Sequence, residues 1–202
     1  MLSAALWAKS MLGTDFYHIA ASFVLYSMLG WLAESVYMSF CEKKITNRGF
    51  AKGPFCPIYG FGATFGNLFL QPVAHSFFLV YVIGAIAATV FEYIAAIIMI
   101  KCLGSLWWDY NEKPYNYKGI LCLESTLGWG FYAIGVVEFL HPWLMRQVDS
   151  AVSVVRGKEI ILIIMLIAVI DYIIQLSKIF REPIGRLRTN VATAYRNFMD
   201  RR

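Results

Sequence analysis

Charge is what this chain has least of. Only 15 % of its 202 residues are Asp, Glu, Lys or Arg, whereas a soluble domain carries about 25 %. Proline is scarce at 6 residues, and the 4 cysteines include no C-x-x-C pair. The chain has no G-x-x-x-x-G-K-[ST] phosphate loop, no H-E-x-x-H zinc motif and no G-x-S-x-G nucleophile turn. The composition excludes an ordinary soluble enzyme, a disordered protein and a secreted disulfide scaffold, and without a phosphate loop the chain cannot hydrolyse ATP by that route. No residue pattern asks for a metal or a cofactor, and no nucleic-acid-binding module is visible.

What the chain has instead is apolar sequence, 59 % of residues with a mean hydropathy of +0.58. It comes in blocks. A membrane-crossing helix needs about 20 mostly apolar residues, with a range of about 17–25. Residues 16–40, 77–100, 120–140 and 160–180 meet that requirement. Residues 57–74 are shorter and glycine-rich, and Gly60, Gly62 and Gly66 give them a small-residue face of the kind that packs closely in lipid. The expected fold is therefore an all-α membrane protein, a five-helix transmembrane bundle over residues 16–180. Gly13-Thr14-Asp15 supplies a helix start before the first block, and His141-Pro142 reads as the stop of the fourth. Residues 1–15 form a short external segment without the basic start of a signal peptide, with Leu2, Leu6, Trp7 and Met11 placed to lie on the membrane.

Lys and Arg set the orientation. With five crossings, fourteen of the 18 cations fall on one side. That side is cytoplasmic and holds the C-terminus, and the N-terminus is outside. Residues 181–202 differ in kind: Ile184, Leu187, Val191, Tyr195 and Phe198 recur at helical spacing among arginines. They predict a basic amphipathic surface helix whose partner is anionic membrane lipid.

Acids inside the apolar blocks are the lead to function. Each costs about 2.5–3.5 kcal/mol to insert and therefore faces a partner or a cavity. Glu34, Glu92, Glu124 and Asp171 lie roughly 6–14 Å above the inner ends of their helices at 1.5 Å per residue. Glu138 falls near the outer interface. Four carboxylates at similar depth predict a polar, acid-lined cavity open to the cytoplasm, and the alternative is that each acid bonds a Tyr, Trp or Arg and fixes packing. The first two and the next two helices also read as two versions of one hairpin. Each has an inner acid, an Asn- and Gly-containing loop (Asn47-Arg48-Gly49; Asn116 to Gly119) and a cysteine opening the second helix (Cys56, Cys122).

The loop Asn47-Arg48-Gly49-Phe50-Ala51-Lys52-Gly53-Pro54 and the entry Cys56-Pro57-Ile58-Tyr59-Gly60-Phe61-Gly62 are more specified than a connector needs. Gly49 and Gly53 permit unusual backbone, and Pro54 and Pro57 stiffen the helix entry. A loop held this way puts Arg48 in reach of Glu34, as a gate or a clamp. These residues, with Gly30-Trp31 before them and Trp108-Asp109-Tyr110, Pro114, Asn116, Gly119-Ile120 and Cys122-Leu123 after them, resemble the ABC-transporter type IV family of small bacterial membrane proteins. The resemblance implies a permease subunit in the bacterial plasma (inner) membrane, working with a separate ATPase subunit. Five spans are few for a translocation path, which points to a homodimer or a partner. Trp107, Trp108, Tyr110, Tyr115 and Tyr117 read first as an interfacial aromatic belt, and the resemblance adds Trp31, Trp108, Asp109 and Tyr110 as secondary site candidates.

The reading is thus an integral membrane permease-like protein that moves a small solute or ion. Two rivals stand beside it. One is a non-catalytic membrane subunit or sensor that docks a partner. The other is an intramembrane enzyme acting on a lipid headgroup, with Arg48 and Lys52 on the phosphate.

Overall fold

The computed structural model describes residues 10–11, 14–103, 106 and 108–180. The basic tail 181–202, Trp107 and most of the N-terminal segment, with Leu2, Leu6 and Trp7, lie outside the described residues. A short antiparallel pair, β1 (Ser10–Met11) with β2 (Thr14–Asp15), leads into α1 (Phe16–Glu42). Then come α2 (Pro57–Leu70), a 3-10 turn (Gln71–Val73) and α3 (Phe77–Leu103). A second pair, β3 (Asn116–Tyr117) with β4 (Leu121–Cys122), precedes α4 (Leu123–Ile134). A π-helical segment (Gly135–Leu140) carries the helix on into α5 (His141–Ala151), and α6 (Val154–Phe180) follows.

The helix limits follow local chemistry. Asp15 caps α1 by accepting the His18 amide. Lys43 ends α1 in the left-handed conformation at φ 52, its N–H on the Phe40 carbonyl. Pro57 opens α2, where its missing N–H costs nothing. His141-Pro142 does not stop the fourth helix. Proline clashes with the carbonyl four residues back, here Glu138, and that residue lies in the wider π turn. The chain stays helical through the proline to Ala151.

The described residues divide into two compact units, one built on those up to Gln71 with Val136–Leu176, the other on those from Pro72 to Gly135 with 177–180. In the first unit α1 and α2 run antiparallel in close contact. A Cβ on Gly60 would collide with Ser27 Oγ and the Phe23 carbonyl, and one on Gly30 would collide with the Tyr59 side chain. Gly60 thus carries the expected small-residue contact, while Gly66 has nothing near it. The core of this unit joins Tyr17, Ala20, Ala21 and Val24 of α1 to Ile161 and Ala168 of α6, with Phe55 beneath. A second cluster joins Tyr26, Ala63, Val136 and Leu144. In the other unit α3 packs on α4 and Ala96, Ile100 and Ile120 form its core.

The outer surface decides the class. Leu162, Ile163, Leu166, Ile167, Val169 and Ile170 of α6 are all exposed, as are Ile86, Val90, Ile94 and Ile98 of α3. A helix apolar on every side and open on most of them belongs in lipid. The helices α1, α3 and α6 are each long and apolar enough to cross a membrane. The protein is an all-α membrane protein.

The α1–α2 contact yields a direct prediction. Gly60→Leu should lower the thermal unfolding temperature in detergent by the equivalent of about 1–3 kcal/mol, the cost of overpacking a filled interface. Gly66→Leu should leave it unchanged. Equal effects at both positions would mean that α1 and α2 do not meet through Gly60.

Candidate functional site

Glu34 and Arg48 meet as their sequence positions predict. Arg48 Nε donates to Glu34 Oε1 at 3.2 Å, and the Tyr59 hydroxyl donates to Oε2 at 3.0 Å. One carboxylate of α1 therefore holds the loop and the first turn of α2 together. The pair is half-buried, with 30 % of the Arg48 and 21 % of the Glu34 side chain exposed. Trp31, one turn before Glu34, donates its Nε1 to Asn47 Oδ1 at 2.6 Å. Asn47 Nδ2 in turn closes the loop on the Lys52 carbonyl at 2.8 Å. Ser35 Oγ accepts the Arg48 amide at 3.1 Å. At Gly49 the backbone takes φ 120, a conformation that only glycine adopts without strain.

The far end of the same loop is tied to a second acid. The Gly53 amide donates to Asp171 Oδ2 of α6 at 2.7 Å, and Gln175 Nε2 donates to Oδ1 at 2.9 Å. Asp171 and Gln175, one helical turn apart, thus form a polar pair whose first member holds backbone from the motif loop. Pro54 is exposed, and next to it Phe55 and Cys56 are buried. The Cys56 amide donates to the Ser27 carbonyl at 3.0 Å. Burial, and then the charge of Glu34, pushes the Cys56 thiol up to about 12.

In the other unit Glu92 is buried among neutral donors, which include Tyr110 Oη to Oε1 at 3.1 Å and Trp129 Nε1 to Oε2 at 2.9 Å. Tyr110 is held well above the ordinary phenol range, by burial first and then by Glu92. Trp108 donates to the Ile120 carbonyl at 2.8 Å, and Asp109 accepts the Asn111 amide at 3.0 Å within its own turn. Both residues hold the loop. Glu124 is exposed in the first turn of α4 and pairs with Lys113 at 2.8 Å. Among the described residues, then, Glu34 and Asp171 are drawn to one loop, Glu92 has its own aromatic pair, and Glu124 is a surface ion pair. Glu138, expected at the outer interface, lies in the π segment with its Oε1 shielded and unpartnered, as is Thr64 Oγ1 of α2. The two hairpins do share parts. Cys56 and Cys122 are the buried N-cap residues of α2 and α4, and a positive-φ glycine, Gly49 or Gly119, precedes each.

One network had no warning in the sequence. His18 bridges Asp15 at 2.8 Å and Asp149 at 2.9 Å, the latter 131 residues away. Burial raises the Asp15 carboxyl, but its bonds from the His18 amide and ring outweigh this and leave it below the usual range. Nearby His141 Nδ1 lies 3.1 Å from the Tyr26 hydroxyl, in hydrogen-bond contact. Among the described residues no group of His, Cys, Asp and Glu is arranged to hold a metal ion.

This loop-and-acid arrangement lies inside the stretch, residues 21–176, that matches the family model described as "Putative ABC-transporter type IV". The chain belongs to this family. No curated protein and no solved structure matches it. The motif loop, Glu34, Glu92, Glu124 and Asp171 all fall within the matched residues.

The four thiols make this geometry testable. Cys41 and Cys102 are exposed, and Cys56 and Cys122 are buried. At pH 8 a thiol with a pKa of about 12 is almost wholly protonated and unreactive. Maleimide should modify Cys41 and Cys102 within minutes and reach Cys56 only after denaturation. Rapid modification of Cys56 in the folded protein would show that the loop does not cover it.

Proposed function

We propose that this chain is the permease-like membrane subunit of a transporter, and that the loop from Asn47 to Cys56 is its cytoplasmic gate. The observation that carries the proposal is the loop's double attachment, to Glu34 through Arg48 and to Asp171 through Gly53. A plain connector does not need a carboxylate from each of two apolar helices. A latch does. The Arg48–Glu34 pair lies between an exposed pair, worth about 0–1 kcal/mol, and a buried one, whose breaking costs about 3–5 kcal/mol. A solute or partner that favours the open loop by about 1–3 kcal/mol, the usual scale of coupling between sites, is enough to release it. Once released, Glu34 and Asp171 become free acceptors at the inner mouth, suited to a small cation or a polar solute.

Five crossings suit this reading. The helix α2 spans about 21 Å and its 3-10 turn adds about 6 Å, a few ångströms short of a hydrocarbon core of about 30 Å. Local thinning of the bilayer absorbs a mismatch of this size. From α4 to α5 the 29 helical residues from Leu123 to Ala151 give ample length. The cation bias then places Arg48 in the cytoplasm of a bacterial plasma membrane, with the N-terminus outside. The family match is what supports a separate ATPase subunit as the energy source, and the chain itself carries no phosphate loop. A homodimer supplies the remaining helices of the path.

Two measurements test this. Reconstituted protein, with its partner subunit where flux requires one, should move solute or ion. Glu34→Gln should reduce that flux at least about tenfold while circular dichroism and unfolding temperature stay near wild type. Flux unaffected by Glu34→Gln in a folded protein removes the gate. For orientation, a membrane-impermeant maleimide should label Cys41 and Cys102 in inside-out vesicles and not in intact cells, and labelling in intact cells would invert the topology.

A further inference from the structure

The cytoplasmic end of α1 carries a second feature, separate from the latch. Val36 and Phe40 are 47 % and 80 % exposed, and Ile45 is fully exposed. With Trp31 they line an open groove of about 690 Å3 whose rim carries Lys43 and Lys44. The groove floor is Ser35 and Ser39, and both hydroxyls are already committed. Ser35 Oγ accepts the Arg48 amide, and Ser39 Oγ donates to the Ser35 carbonyl at 2.6 Å and accepts the Thr46 amide at 2.9 Å. The floor therefore offers small side chains and no free polar group. At the rim, Lys43 is held at the helix end by its left-handed backbone, and Lys44 lies 3.1 Å from Glu42 and remains mostly exposed. Two ammonium groups against one carboxylate leave the rim net positive.

The groove is thus cationic at one end and apolar along its length. The twelve helical residues from Trp31 to Glu42 extend about 18 Å, close to the depth of one leaflet, half of a hydrocarbon core of about 30 Å. That is the charge pattern and length of a single anionic phospholipid. We propose that this groove binds one, with its phosphate between Lys43 and Lys44 and an acyl chain along Phe40, Val36 and Trp31. Because Trp31 also holds Asn47, and Ser35 holds the Arg48 amide, the lipid lies against the wall that carries the latch. Its binding depends on α1 and the lysines, and holds whether or not the loop is a gate.

Native mass spectrometry of the full chain in detergent, with added phosphatidylglycerol or phosphatidylcholine, tests the site without reference to transport. Wild type should retain one phosphatidylglycerol at least about fivefold more than phosphatidylcholine, the scale set by basic residues at an anionic surface. Lys43→Gln with Lys44→Gln should abolish that preference, and Lys178→Gln should keep it. Brominated phosphatidylglycerol should quench a fluorescence component that Trp31→Phe removes. Equal retention of the two lipids, an unchanged preference in the double variant, or a second protein copy in place of the lipid would overturn the assignment.

Discussion

A carboxylate placed in an apolar helix has to find donors, because lipid offers none. In this chain that requirement organises one end of the first unit. Glu34 draws Arg48 and Tyr59 to it, and Asp171 draws the Gly53 amide. The loop between α1 and α2 is thereby fastened at two points, and everything in it follows. Gly49 turns where only glycine turns easily, Asn47 links Trp31 to Lys52, and Phe55 and Cys56 are pressed into the interior. The helices themselves are held more simply. Gly30 and Gly60 let α1 and α2 approach until Tyr59 can reach Glu34, so close packing sets the distance at which the polar contacts form.

The two hairpins answer the same requirement with different chemistry. On α1 the acid takes a cation and a phenol. On α3 Glu92 takes a phenol and an indole. Arg48 is partly exposed and can exchange its carboxylate for water, whereas Tyr110 and Trp129 are anchored parts of a packed hairpin. This contrast is why the proposed gate is assigned to the first loop and the fixed frame to the second. A transporter needs both, a gate that opens and a frame that does not.

Much of this was legible in the residues alone. Composition and block length point to a helical membrane protein, and the start of α1 follows from Asp15. The approach of Arg48 to Glu34, 14 residues apart across a stiffened loop, follows from spacing. Contacts between distant segments did not. Gly53 to Asp171 spans 118 residues and uses a backbone amide, which every residue but proline possesses, so no residue type announces it. The Asp15–His18–Asp149 bridge is hidden for the same reason of distance. The helix through His141-Pro142 escaped because the rule for proline assumes an ordinary α-turn before it, and a π turn removes that premise. Glu124 looked like a membrane acid because the apolar block begins at Ile120, but β4 delays the helix to Leu123 and leaves the acid at an exposed first turn beside Lys113.

The central claim is that Glu34 and Arg48 act as one latch over the loop. A double-mutant cycle on the rate at which Cys56 is modified in the native protein tests it most directly. If the latch holds the loop closed, Glu34→Gln and Arg48→Gln should each speed modification by a similar factor, and the double variant should be no faster than either single one. Unchanged rates in the single variants, or factors that multiply in the double variant, would contradict the account.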